Sequence, residues 1–95
     1  MYMRVTRFKV NPAHLDELSG KIKEMSRIAK SLRGVVDIYA AWRGDGQGVV
    51  TSVYESKEHA DKAVARIQVL WGALAGLIEG APNTDAFETV EHIVG

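Results

Sequence analysis

Ninety-five residues make a single small domain with no room for a second, and the absence of cysteine excludes disulfide staples, thiolate metal sites and a cysteine nucleophile. Twelve Lys and Arg balance twelve Asp and Glu, so no overall field gathers nucleic acid or anionic lipid. A 46% hydrophobic chain of this length is expected to be globular and either to pack tightly or to pair with a copy of itself.

The first residues, Met1-Tyr2-Met3-Arg4, alternate apolar and polar without the unbroken apolar run of a signal peptide. Residues 69–78 form the longest apolar stretch, about half of what a bilayer needs, and Gly72 and Gly76 interrupt it. A soluble, cytoplasmic protein with no nucleic-acid or membrane partner is expected. Residues 2–10 place Val5, Phe8 and Val10 among Arg4, Thr6, Arg7 and Lys9, a strand pattern. Asn11-Pro12 then starts a helix, with Asn11 as cap and Pro12 at a position that needs no donor. Leu15, Leu18, Ile22, Met25, Ala29 and Leu32 recur at helical spacing, and Gly34 suits the left-handed cap beyond Arg33. Residues 35–43 and 49–54 read as strands joined by a glycine-rich hairpin at Gly44, Gly46 and Gly48. Ser56 caps a second helix whose apolar set runs from Ala60 to Ile78. After the break at Gly80-Ala81-Pro82-Asn83, residues 87–94 alternate well enough for a last strand.

Strand, helix, strand, strand, helix, strand, with right-handed crossovers, predicts a ferredoxin-like α+β fold over 1–95: a four-stranded antiparallel sheet carrying two helices on one face. Both sheet faces are apolar on paper. Val36, Ile38, Ala40 and Trp42 oppose Val35, Tyr39 and Ala41, Val49 and Val53 oppose Val50 and Tyr54, and Phe87 and Ile93 oppose Val90 and Val94. Two helices cover only one face, so the other is expected to meet a second copy, sheet against sheet.

Val10-Asn11-Pro12 at the end of the first strand and Tyr54-Glu55-Ser56-Lys57-Glu58-His59-Ala60 after the third make the chain resemble the antibiotic biosynthesis monooxygenase-like proteins of the dimeric α/β-barrel superfamily. The resemblance spans nearly the whole chain and implies ferredoxin-like subunits whose sheets face each other as a barrel. It implies, too, a ligand pocket in each subunit between its own sheet and helices. Members of that family oxidise polyketide phenols without a cofactor, and others degrade haem. The haem-degrading kind uses an Asn in the first strand and a Trp and a His on the second helix, positions that correspond to Thr6, Ala63 and Ala73. Other members carry His at positions that correspond to Ala63 and Gln68. None of these residues is present, so the resemblance does not extend to haem degradation.

Three histidines could carry chemistry. Strands one and three are expected to run parallel, so His14 and His59, in the first turns of the two helices, are expected near one another at one end of the sheet, yet their spacing matches no zinc motif and they read as surface residues. No metal or cofactor is expected. His92 alternates with Val90 and Val94 and is the candidate for proton transfer. Trp42, Trp71, Tyr39 and Tyr54 could line a flat pocket for an aromatic ligand, or simply pack. Arg4, Arg7 and Arg43 stand in or at the ends of strands, where an inward guanidinium could hold a phenolate and an outward one would pair with Asp37, Glu88 or Glu91. No helix follows the glycines of residues 44–48, so they make no phosphate loop. Two readings follow. One is a homodimeric, cofactor-free monooxygenase in which Arg4 and Thr6 orient a small aromatic or polyketide-like molecule and His92 moves a proton. The other is a non-catalytic ligand-binding or assembly module of the same fold.

Overall fold

The computed structural model of the protein describes residues 1–94. Strand β1 (Tyr2–Lys9) leads through one 3₁₀ turn (Pro12–His14) into α1 (Leu15–Ala29); β2 (Val35–Trp42) and β3 (Gln47–Tyr54) form a hairpin; α2 (Lys57–Leu74) crosses back to β4 (Asn83–Phe87). The strands lie in the order β2-β3-β1-β4, and every neighbouring pair is antiparallel. This is the expected ferredoxin-like topology.

The elements start and stop where local chemistry places them. The Asn11 side-chain oxygen accepts from the Ala13 amide at 3.0 Å, just ahead of α1, and the Ser56 hydroxyl accepts from the His59 amide at 3.2 Å at the start of α2. Gly34 has φ 77° beyond the last turn of α1. Gly46, at the tip of the β2–β3 hairpin, has φ 90°, and a Cβ there would run into the Val10 carbonyl. Its own carbonyl accepts from the Val10 amide at 2.8 Å. Gly46→Ala therefore combines a left-handed backbone with a clash against main chain, which no rotamer relieves. A loss of about 2 kcal/mol or more is expected in urea unfolding.

Three expectations are corrected. The last strand is Asn83–Phe87, not 87–94. The chain reaches the edge of β1 as soon as α2 ends, through the Val10–Ile78 bridge and the Glu79 amide donating to the Lys9 carbonyl at 2.7 Å. Pairing then runs from Asn83 opposite Arg7 to Phe87 opposite Met3, and almost no β1 remains for later residues to pair with. Secondly, β1 and β3 run antiparallel, so the helices that follow them begin at opposite ends of the sheet and His14 and His59 are not brought together. Thirdly, a bulge between Val35 and Asp37 shifts the pairing of β2. It turns Val35 toward the helices, where it packs against the Tyr2 and Tyr54 cluster rather than sharing a face with Tyr39.

On the helix-facing side the inward residues of β1 are Tyr2, Arg4, Thr6 and Phe8, paired with Tyr54, Ser52, Val50 and Gly48 of β3. Large aromatic side chains stand at the two ends of the sheet and small or polar ones in the middle. The core splits accordingly. Tyr2 and Tyr54 pack with Ala60 and Ala63 of α2 at one end, and Phe8 and Val10 pack with Leu18 of α1 and Leu74 of α2 at the other. Gly48 lies under the Phe8 ring, where any side chain would collide, and the ring meets Trp71 edge-on at 5.8 Å and 62°.

Among the described residues no helix covers the outer sheet face. Its centre is Met3, Val5, Val49 and Val53, with Tyr39 67% and Phe87 46% exposed. Charge sits at the margins, where Arg7 pairs with Asp85 at 2.8 Å along β4 and Asp37 stands on β2. No helix among the described residues is long and apolar enough to cross a membrane.

Candidate functional site

Between the two halves of the core lies a cavity of about 670 Å³, floored by the middle of the sheet and roofed by α1 and α2. It exists because most floor residues between the aromatic ends are too small to reach the helices, Arg4 alone among the polar ones extending to α2. Four of them are polar and adjacent. Arg4 stands opposite Ser52 on β3, and Thr6 stands opposite Thr84 on β4. The Thr6 and Thr84 hydroxyls are 2.9 Å apart and hydrogen-bonded to each other. Thr6 and Ser52 are buried, and no buried side-chain nitrogen or oxygen among the described residues lacks a partner. The walls are apolar, supplied by Ile22 and Met25 of α1 and by Ile67, Leu70 and Trp71 of α2. Exposed Lys30, Asp37 and Gln68 also line it and mark its rim.

Arg4 is the charged group of the floor. Its Nη2 is 3.3 Å from Asp61 Oδ1 on α2, and its guanidinium carbon is 6.0 Å from the centroid of the Tyr2 ring. Asp61 is shared with Lys57, whose Nζ is 3.5 Å from the other carboxylate oxygen. One exposed carboxylate thus faces two cations, and the group of three keeps a net positive charge at the cavity edge. A guanidinium in this setting offers parallel N–H donors to a planar oxyanion.

The structure brings Arg4, Thr6, Tyr54 and Trp71 together around this cavity. It does not bring the others. Trp42 packs beside the Phe8 cluster, outside the cavity lining. Tyr39 is on the outer face, a consequence of strict alternation after the bulge. His92 lies beyond β4 and is exposed in the subunit, so the strand alternation that placed it inward does not exist. Among the described residues no histidine lines the cavity. His14 contacts Glu17 at 3.3 Å and His59 contacts the Ser56 hydroxyl at 2.8 Å. No group of three or more His, Cys, Asp or Glu that could hold a metal ion is found among the described residues. Arg7 points outward to Asp85, and Arg43 is exposed at the hairpin.

Sequence reasoning missed Ser52, Thr84 and Asp61. Ser52 had a signal, since it is the polar residue between inward-facing Val50 and Tyr54. Thr84 had none once the last strand was placed too late, and Asp61 depends on which turn of α2 passes over Arg4.

The sequence matches no protein-family model and no curated protein. Solved structures match over nearly the full length. A protein from Deinococcus radiodurans described as a candidate antibiotic biosynthesis monooxygenase superposes with a TM-score of 0.82 at 14% identity, covering 99% of this chain and 97% of that one. The chain folds as an antibiotic biosynthesis monooxygenase does. The same fold is found in Rv0793 from Mycobacterium tuberculosis, with a TM-score of 0.78 at 12% identity over 98% of each chain. It recurs in an N63A mutant of SnoaB, a cofactor-independent oxygenase from Streptomyces nogalater, with a TM-score of 0.76 at 18% identity over 97% of this chain and 95% of that one. At these identities the likeness is one of fold, so the chemistry of this chain rests on its own residues.

Proposed function

We propose that this protein is a homodimer, paired through the outer faces of its sheets, that binds a small, flat, acidic organic molecule in the inner cavity and promotes its oxidation by O₂ without metal or flavin. The observation that carries this reading is the polar row Arg4, Ser52, Thr6 and Thr84 on an otherwise apolar floor, set between aromatic ends. An ionised phenol supplies its own reducing electrons, so the protein needs only to favour the oxyanion, exclude water and hold the ring. Arg4 faces the oxyanion, the Thr6–Thr84 pair and Ser52 orient it by hydrogen bonds, and Trp71 lies along the ring. In the reaction a carbanion of the ionised ring transfers electrons to O₂, a C–O bond forms as a hydroperoxide, and loss of water leaves a new carbonyl. Both electron pairs come from the substrate. The resemblance to a cofactor-independent oxygenase supports the same class of chemistry.

The lack of a histidine in the lining favours a second reading, a binding module that holds such a molecule without turning it over. Polycyclic phenols tested by Trp71 fluorescence quenching and by an oxygen electrode separate the two. The enzyme reading expects both quenching and oxygen uptake; quenching alone leaves the module, and neither response sinks both. In either case Arg4→Gln is expected to weaken phenolate binding about tenfold or more, the usual scale of a charge-assisted pair. Binding should strengthen as pH rises through the ligand's own phenol pKa, and that dependence should disappear in Arg4→Gln.

A further inference from the structure

A second cleft of about 400 Å³ lies on the other side of Leu32 from the main cavity, between the turn after α1 and the flank of α2, and Leu32 lines both. Its polar lining is basic. Arg33 comes from the turn, and His59, Lys62 and Arg66 project from one face of α2, spaced three and four residues apart. Lys62 is paired with Glu58 at 3.0 Å, a hydrogen bond that holds the Glu58 carboxyl below its ordinary pKa. His59 Nε2 is 3.8 Å from Glu55. Arg33 and Arg66 have no carboxylate within ion-pair distance among the described residues, and Arg66 reaches only the Ser31 hydroxyl, at 3.5 Å. The end of α1 does not call for these cations as caps. The Lys30, Ser31 and Leu32 amides already donate to the Ser26, Ile28 and Ala29 carbonyls, and the Ser31 hydroxyl to that of Ile28. Two guanidiniums without a carboxylate partner thus flank one concave site, in a chain whose net charge is zero.

We propose that this cleft is an anion site for a dianionic phosphoryl group, held by Arg33 and Arg66 with Lys62 in support. Guanidinium forks match two oxygens of such a group, and the Ser31 hydroxyl sits beside Arg66 as a further polar contact. Leu32 and Ala63 give the same cleft an apolar wall, against which the organic part of a phosphate ester would rest. The proposal does not depend on the chemistry of the main cavity.

The test is an amide NMR titration of the intact protein with inorganic phosphate and, separately, with phenyl phosphate at low ionic strength. Saturable shifts are expected at residues 31–34 and 59–66. Arg33→Gln and Arg66→Gln, both at exposed positions, should each weaken binding about tenfold, while Lys21→Gln on α1, away from the cleft lining, should leave it unchanged. Tighter binding of phenyl phosphate identifies an ester as the natural ligand and equal binding identifies free phosphate; either supports the site. Shifts scattered over surface lysines, or affinities that the two arginine variants leave unaltered, would overturn it.

Discussion

Val5→Lys is expected to leave the subunit folded and to halve the mass of the particle in solution. Val5 lies mid-strand in β1, on the outer face, where it is opposite Thr51 of β3 and Asp85 of β4. In a lone subunit it is only partly covered, so a lysine there can extend into water at little cost. In the proposed dimer the same position is covered by the partner's sheet, and an ammonium would be desolvated against Met3, Val49 and Val53 or their copies, with several kcal/mol lost. Light scattering at micromolar concentration is expected to give twice the 10.4 kDa of the chain for the wild type and 10.4 kDa for the variant. Unchanged far-ultraviolet circular dichroism would show that the fold survives. A wild type that is already monomeric refutes the sheet-to-sheet pairing, and a variant that stays dimeric places the interface elsewhere.

Leu18→Ala is expected to be the most damaging single truncation in α1. Leu18 is fully buried, and it is the one buried residue of that helix, touching the cluster of Phe8, Val10 and Leu74. Truncation removes the transfer free energy of the side chain and leaves a cavity that a sheet and two helices cannot close, a combined loss of about 2–5 kcal/mol. Against a total of about 5–14 kcal/mol for a domain of this size, that is a fall in Tm of more than about 10 °C. Ile28→Ala, on the exposed side of the same helix at 46% exposure, should cost under about 1 kcal/mol. Calorimetry of both variants at one protein concentration checks this, since the proposed dimer would make Tm concentration-dependent. Equal effects at the two positions would mean that α1 is anchored by another face.

The candidate site was half visible before the fold was known. Arg4 and Thr6 alternate with Tyr2 and Phe8 in the sequence, so their shared face needed only strand periodicity. Trp71 followed from the helical stripe of α2. His92, Tyr39 and Trp42 did not fall at the site, each for a reason that periodicity does not contain. Phe87 exhausts the length of β1 available for pairing, so the alternation around His92 has no strand to belong to. The bulge at Val35 and Asp37 separates the start of β2 from the face of Tyr39. Trp42 is inward, but Phe8 and Trp71 enclose that end of the sheet and divide it from the cavity.

Local chemistry by itself determined the element order, the caps at Asn11 and Ser56, the hairpin at Gly46 and the apolar excess on both sheet faces, because each depends on neighbours within a few residues. Tertiary structure alone decided where β4 begins, which ends of the sheet the helices start from, and that Thr84 comes to lie against Thr6, 78 residues away in sequence. The cavity belongs to this second group. It arises from the distance between floor and roof, and that distance is set by the aromatic side chains at the two ends of the sheet acting together.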